Sequence, residues 1–329
     1  MNFFSTIQQF ITQHTLVNHN DTIIIGLSGG PDSVFLLHLL VQLHKHYNLT
    51  LIAAHLNHEW RPEADQEEEL CRTIAQKNGI SFITAKLSQL PHTAKNNGSK
   101  EDYARTMRRF FLEQVAHEHG AQKIALGHHA QDQQETFFIR LIRGASLTGL
   151  TAMKPLNGLY IRPLLTTNKS DILQWLNDNQ ITYAIDGSNK SPLYLRNRIR
   201  NTVLPALQEC DTRFNDNFFN TLNRLQETER FLEKMTHESF TKISCNKNGA
   251  ITINTALLAT VDSALHHRII MHWLIAANVT FPTTQSFFDE LLRFLLSPRG
   301  GTHSIHPQWS IVKKQGNAII SSLASTLAI

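Results

Sequence analysis

Residues 22–33 read TIIIGLSGGPDS. The first half is a continuous β-branched run without polar alternation, the pattern of a strand buried on both faces. The second half is a glycine-rich turn, and from residue 34 to residue 47 apolar residues recur at helical spacing. A strand, a glycine turn and a helix together form a general anion site. Glycines let the backbone come close, and the free N–H groups of the helix start point at the ligand. Gly29 and Gly30 supply the approach, Ser28 and Ser33 add hydroxyl donors, and Pro31 suits a first helical turn, where its missing N–H costs nothing. Asp32 is the unusual member. An acid beside a phosphate repels it unless a divalent cation lies between, so Asp32 is the candidate magnesium residue.

Outward from this loop the chain alternates. Residues 50–56, 80–87 and 123–127 read as strands, and 63–78, 99–119 and 130–143 as helices. This alternation predicts an α/β fold, a doubly wound parallel sheet with helices on both faces. Ligands in such folds bind beyond the carboxyl ends of the strands. After Pro155 the alternation fades. A helix is expected from Asn168 through residue 179, a basic one over 191–207, and three more over 218–240, 255–277 and 284–296. A hairpin is expected around Gly316-Asn317. The expected division is a catalytic domain over residues 1–214 and a smaller, mainly helical domain over 215–329.

With 329 residues, 41% of them hydrophobic and 18% charged, the chain can bury two cores. It has no run of 18 apolar residues and no basic, small-residue secretory start, so neither a membrane span nor a signal is expected. Cys71, Cys210 and Cys245 are widely spaced, which offers no disulfide framework and fits a reducing cytoplasm. The net charge of +4 is compatible with a nucleic-acid partner without requiring one. Eighteen histidines are spread along the chain with no metal-ligand spacing.

The loop is neither of the common phosphate loops. No Gly-x-x-x-x-Gly-Lys-Ser/Thr occurs, and Gly26-Leu27-Ser28-Gly29 does not follow Gly-x-Gly-x-x-Gly. It resembles instead the Ser-Gly-Gly-x-Asp-Ser loop of the N-type ATP pyrophosphatases, which adenylate an oxygen and release pyrophosphate. Four further segments narrow the resemblance: AAHLNHEWRP at 53–62, EDYARTMRR at 101–109, LGHHAQDQQET at 126–136 running into Arg140, Arg143 and Gly144, and RNRIRN at 196–201 after Asp186. Together they resemble the tRNA(Ile)-lysidine synthetase family. Glu59 stands where that family has glycine, and Gln131 where it has aspartate.

The resemblance implies ATP and a magnesium ion as cofactors, with free L-lysine and the CAU-anticodon isoleucine tRNA as partners; a homodimer is left open. It implies ligation of lysine to the wobble cytidine through an adenylated intermediate. The residues add their own reasons. Asp132 and Glu135 share a helical face and could hold magnesium, orient ATP or bind an ammonium, or else simply answer the helix dipole. Arg105, Arg108 and Arg109 lie along one helix side, with Glu101 able to pair with Arg105. Arg108 is the candidate for phosphates or developing charge. Arg196 and Arg200 share a face and could meet phosphates of ATP or tRNA. His55 and Asn57 end a strand and could border the adenine, and His128 stands at a helix entry. The candidate catalytic residues are therefore Asp32, Asp132, Arg108 and Arg196. The nucleotide-binding candidates are Ser28 to Ser33, His55, Asn57 and His128.

Overall fold

The structure is a computed structural model that describes residues 3–91, 100–184, 194–247 and 250–322. The chain divides into two compact units, Met1–Asn220 and Thr221–Ile329.

In the first unit α1 (Phe3–Gln13) leads into β1 (Thr22–Gly26), α2 (Pro31–Tyr47), β2 (Thr50–Asn57), α3 (Ala64–Lys77) and β3 (Ser81–Lys86). Then follow α4 (Lys100–Glu118), β4 (Lys123–Ala125), α5 (Ala130–Ile142), a single turn α6 (Leu147–Leu150), and the short strands β5 (Leu156–Asn157) and β6 (Tyr160–Ile161). After these come α7 (Lys169–Asp178), α8 (Leu195–Arg198), a π-helical turn over Ile199–Val203, α9 (Leu204–Cys210) and the start of α10 (Phe214–Ile243). The expected strand–helix alternation is present, and the basic helix is one helical run with the π turn at its centre. Its expected start at residues 191–193 lies outside the described residues.

The sheet has six strands in the order β3-β2-β1-β4-β6-β5. All neighbours are parallel except β5, which pairs antiparallel with β6. Alternation within β1 sends Ile23 and Ile25 to one core with α1, α2 and α7, and Ile24 to a second core with Met107, Phe111 and Leu112 of α4. That double burial is why the run carries no polar residue. From β1 the chain winds outward through β2 and β3, then returns to place β4 on the other side. Their carboxyl ends flank the switch point, where such folds keep their ligand crevice.

Gly127 tightens this junction. A Cβ built there would lie 2.9 Å from the carbonyl carbon and oxygen of Asp32 and 3.0 Å from the Ser33 nitrogen. The loop after β4 therefore rests on the backbone of the loop after β1.

The second unit holds the rest of α10, then β7 (Ser244–Lys247), β8 (Ala250–Asn254), α11 (Thr255–Thr260), α12 (Ser263–Ala276), α13 (Gln285–Leu296), β9 (Gly301–His306), β10 (Trp309–Lys314) and β11 (Asn317–Ser322). The helical reading is right for most of its length, but the unit also has a five-stranded sheet ordered β7-β8-β11-β10-β9. The hairpin at Gly316-Asn317 joins β10 to β11, with Lys314 opposite Asn317. The single helix expected over 255–277 is in fact two. Val261 is extended at the end of α11, and the Asp262 carboxylate accepts from the Ala264 amide at 2.8 Å, capping a new helix start.

Gly127→Ala forces backbone apart at the switch point. It should lower stability by about 1–3 kcal/mol, the usual range for overpacking, read as a lower urea midpoint. An unchanged midpoint would show that the two loops separate freely.

Candidate active site

The loop after β1 is folded by its own side chains. The Ser28 amide donates to Ser33 Oγ at 3.1 Å, Ser33 Oγ donates to the Gly30 carbonyl at 2.9 Å, and the two serine hydroxyls meet at 3.1 Å. Gly29 has φ +83°, a conformation that costs other L-residues about 1 kcal/mol or more. Its carbonyl accepts from the Ala184 amide at 2.8 Å. Buried Cys71 lies behind the turn; burial pushes its thiol up to about 12, so it stays protonated.

Asp32, in the first turn of α2, faces two groups that the sequence did not single out. One oxygen is in contact with Lys169 Nζ, and the other lies 3.7 Å from His129 Nε2. The same His129 nitrogen is 3.4 Å from Asp132 Oδ2, which also accepts from the His129 amide at 2.9 Å. Asp32 and Asp132 thus converge on one imidazole through the contact at Gly127. His129, not His128, is the histidine between the carboxylates.

Asp132 is linked onward. Arg196 donates from Nη2 to Asp132 at 2.9 Å and from Nε to Glu135 at 2.6 Å, while Arg200 reaches Glu135 from Nε at 2.5 Å and from Nη2 at 3.0 Å. Glu135 is fully buried. Both expected faces are therefore real, and they face each other. Gln131 has a structural task that needs no charge: its Oε1 accepts from the Lys169 amide at 3.0 Å. Arg140 is a clamp, donating to the carbonyls of Gly149 at 2.7 Å and Ala152 at 2.9 Å. Asp186 and the Glu101 side chain lie outside the described residues.

At the end of β2 the placements diverge. His55 is buried, its Nδ1 2.9 Å from the Leu27 carbonyl, where it ties β2 to the loop after β1. Asn57 is consumed by its own turn, donating to Asp65 at 2.9 Å and Glu68 at 3.0 Å and accepting from the Glu59 amide at 2.9 Å. Glu59 has φ +55°, the left-handed conformation a glycine would take easily. Its carboxylate accepts from the Ser88 amide at 2.9 Å, which helps hold the strained turn in the same course. Arg108 donates to His58 Nε2 at 3.0 Å, and His58 packs against Trp60 with ring centroids 5.1 Å apart.

Several buried nitrogens here have no hydrogen-bond partner among the described residues: Nδ1 of His58, His128 and His129, and Nε of Arg162, which follows β6. Orphaned potential donors fit a site that takes an anion. A magnesium ion is compatible with Asp32 and Asp132, since this cation takes one or two carboxylates and completes its shell with phosphate oxygens and water. Among the described residues no group of three or more His, Cys, Asp or Glu side chains is arranged to hold a metal without such help.

Burial lowers His128 to about 4, with Arg162, Arg196 and Arg105 adding to the effect and Asp132 opposing it. His58 is likewise lowered to about 4, by burial and by Arg108. For Asp132, burial pushes upward, but His129, Arg196, His128 and the His129 amide together hold it below the usual carboxylate value.

These shifts act in different pH windows. A histidine lowered in the fold binds its proton more readily when unfolded, so it costs stability as pH falls from about 6.5 toward 4. A lowered aspartate contributes stability above about pH 4 that is lost as pH falls through its folded value. His128→Asn should therefore flatten the stability profile between about pH 6.5 and 4. Asp132→Asn should weaken the fold at neutral pH and narrow its deficit only below about pH 4. Urea midpoints across pH check both. Equal slopes for His128→Asn and the parent would show that the imidazole titrates as if exposed.

Residues 2–207 match the family model ATP_bind_3, described as a PP-loop domain. The tRNA(Ile)-lysidine synthase of Bacillus cereus is 29% identical over 301 residues, which cover 89% of this chain and 63% of that protein. The tRNA(Ile)-lysidine synthase of Bacillus subtilis is 33% identical over 296 residues, covering 86% of this chain and 62% of its own length. The chain thus spans less than two thirds of the length of these relatives. Among solved structures, the U34-tRNA thiolase NcsA from Methanococcus maripaludis, with its 4Fe-4S cluster, superposes with a TM-score of 0.57 at 19% identity, over 68% of this chain and 79% of that one. That likeness is one of fold. The family match takes in the loop after β1, the carboxylates opposite it and both arginines that bind them: the chain belongs to the PP-loop family.

Proposed function

We propose that the protein is an ATP-dependent ligase that joins free lysine to the wobble cytidine of the CAU-anticodon isoleucine tRNA. The products are lysidine, AMP and pyrophosphate. The observation that carries this reading is the meeting of the Ser28–Ser33 loop with Asp32, His129, Asp132 and Arg196 at one switch point. The kinship with tRNA(Ile)-lysidine synthases supplies the substrate class.

In this reading the loop amides and serine hydroxyls hold the β and γ phosphates of ATP, favoured by the N-terminus of α2. Magnesium, when bound, would neutralise phosphate charge beside Asp32 and Asp132. Arg196 and Arg108 face the charge that develops as the cytosine oxygen at ring position two attacks the α phosphorus and pyrophosphate leaves. The lysine amine then attacks ring carbon two, AMP departs with the oxygen, and the amine loses its proton. His128 and His58, both lowered to about 4, remain neutral imidazoles at physiological pH and add no competing charge. Residues 1–214 would carry this chemistry, and residues 215–329 would contact tRNA phosphates, an affinity that weakens with salt.

The likeness to a tRNA thiolase raises sulfur transfer as the rival. Of the cysteines, Cys71 is buried and protonated, while Cys210 and Cys245 are exposed. The test is incubation of the full chain with ATP, magnesium, labelled lysine and the isoleucine tRNA, followed by nucleoside mass spectrometry. Lysidine should form, and Asp32→Asn should reduce pyrophosphate release by about a hundredfold or more, as loss of a group acting only on the transition state does. The Cys71→Ala, Cys210→Ala, Cys245→Ala triple variant should retain lysine incorporation. Thionucleoside in place of lysidine, or a folded triple variant without activity, would overturn the reading.

A further inference from the structure

Lys169 is a cation at the switch point that no motif pointed to, and the structure controls it at both ends. Its backbone is fixed to the start of α5: the Ala130 amide donates to the Thr167 carbonyl at 2.9 Å, and the Lys169 amide donates to Gln131 Oε1 at 3.0 Å. Its side chain crosses from the first residue of α7 to the first turn of α2, where Nζ is in contact with Asp32 Oδ1. The two side chains are 30% and 26% exposed, so the pair is partly solvated and weak enough to exchange.

Asp32 carries a single negative charge, so a divalent ion and the Lys169 ammonium compete for it. A divalent ion on its carboxylate would repel the ammonium a few ångströms away, since unit charges at that distance interact strongly away from bulk water. The released lysine has a flexible stem and a compact charge, and the nearest anion it could reach would lie on the loop beside Asp32. Arginines are less free to answer: Arg196 and Arg200 are already forked onto Asp132 and the buried Glu135.

We propose that Lys169 is a polyphosphate-binding residue, kept at the loop by Asp32 and passed to the pyrophosphate oxygens when a divalent cation takes the Asp32 carboxylate. This rests on the reading that the Ser28–Ser33 loop holds the polyphosphate of ATP. Lys169 then does two opposite things: it competes with the cation for Asp32, and it strengthens the hold on the anion once the cation is in place.

The experiment measures binding of inorganic pyrophosphate to the full chain by calorimetry across a magnesium titration. The proteins are the parent, Lys169→Met, Lys169→Gln, Lys169→Arg and Ser33→Ala, each with its thermal melt compared with the parent's. With saturating magnesium, Lys169→Met and Lys169→Gln should bind pyrophosphate roughly tenfold more weakly or worse, the loss expected of a charge-assisted hydrogen bond. Both should reach half-maximal binding at a lower magnesium concentration than the parent, because the competitor for Asp32 is gone. Lys169→Arg should keep most of the affinity. A folded neutral variant that binds pyrophosphate like the parent overturns the proposal, as does one whose magnesium requirement is unchanged or raised. Ser33→Ala separates the two levels of the argument. If it weakens pyrophosphate binding while the lysine variants do not, the loop reading stands and the Lys169 assignment falls. If none of the variants matters, the loop reading fails and takes the assignment with it.

Discussion

At Gly127 the backbone leaving β4 presses on the carbonyl of Asp32 and the amide of Ser33, closer than a side chain would permit. That approach is what makes a site out of two loops. It sets the first turn of α2 against the start of α5, so that Asp32 and Asp132, far apart in the chain, share the His129 ring. A sheet that winds outward from β1 and resumes on its other side leaves these two carboxyl ends as neighbours. The glycine lets them touch.

Around this junction polar and charged side chains link in a chain: Lys169 on Asp32, His129 between Asp32 and Asp132, Arg196 across Asp132 and Glu135, Arg200 on Glu135. The links differ in permanence. Glu135 is fully buried, and removing one partner of a buried pair typically costs about 3–5 kcal/mol, though the arginines, each roughly one third exposed, soften that figure. The Lys169 end is open to solvent on both partners. The set is therefore anchored at α8 and loose at the loop. The π turn at Ile199–Val203 falls where Arg200 must reach the same acid as Arg196, in keeping with the tendency of π turns to sit at working sites.

The loop after β1 was legible because every property that matters there is local: a doubly buried run, glycines, a proline at a helix start. The pairing of the 130–136 helix with the 196–200 helix was half legible. Each face showed in the i, i+3 and i, i+4 spacing, but nothing in the spacing said that the two faces meet. His129 and Lys169 were not legible at all, since an isolated histidine or lysine carries no periodic signal and owes its place to strand order. Asn57 and His55 were expected to border the adenine because they end a strand; in the fold the Asn57 amide donates to Asp65 and Glu68, and His55 Nδ1 lies 2.9 Å from the Leu27 carbonyl. The second sheet escaped notice for a related reason. Strands such as GTHSIH at 301–306 bury few side chains and carry little alternation to read.

The segment from Ala130 to Lys169 leaves and returns to the same spot, closed by the Ala130–Thr167 backbone bond and by Gln131 on the Lys169 amide. Between those ends the chain turns through Gly158, which has φ +59° and open space around it. Such an excursion is a module in the genetic sense. Its outer turn can be lengthened, rewritten or used as a new pair of chain ends without moving the residues that flank it, so variation can accumulate there while the chemistry at its base stays fixed.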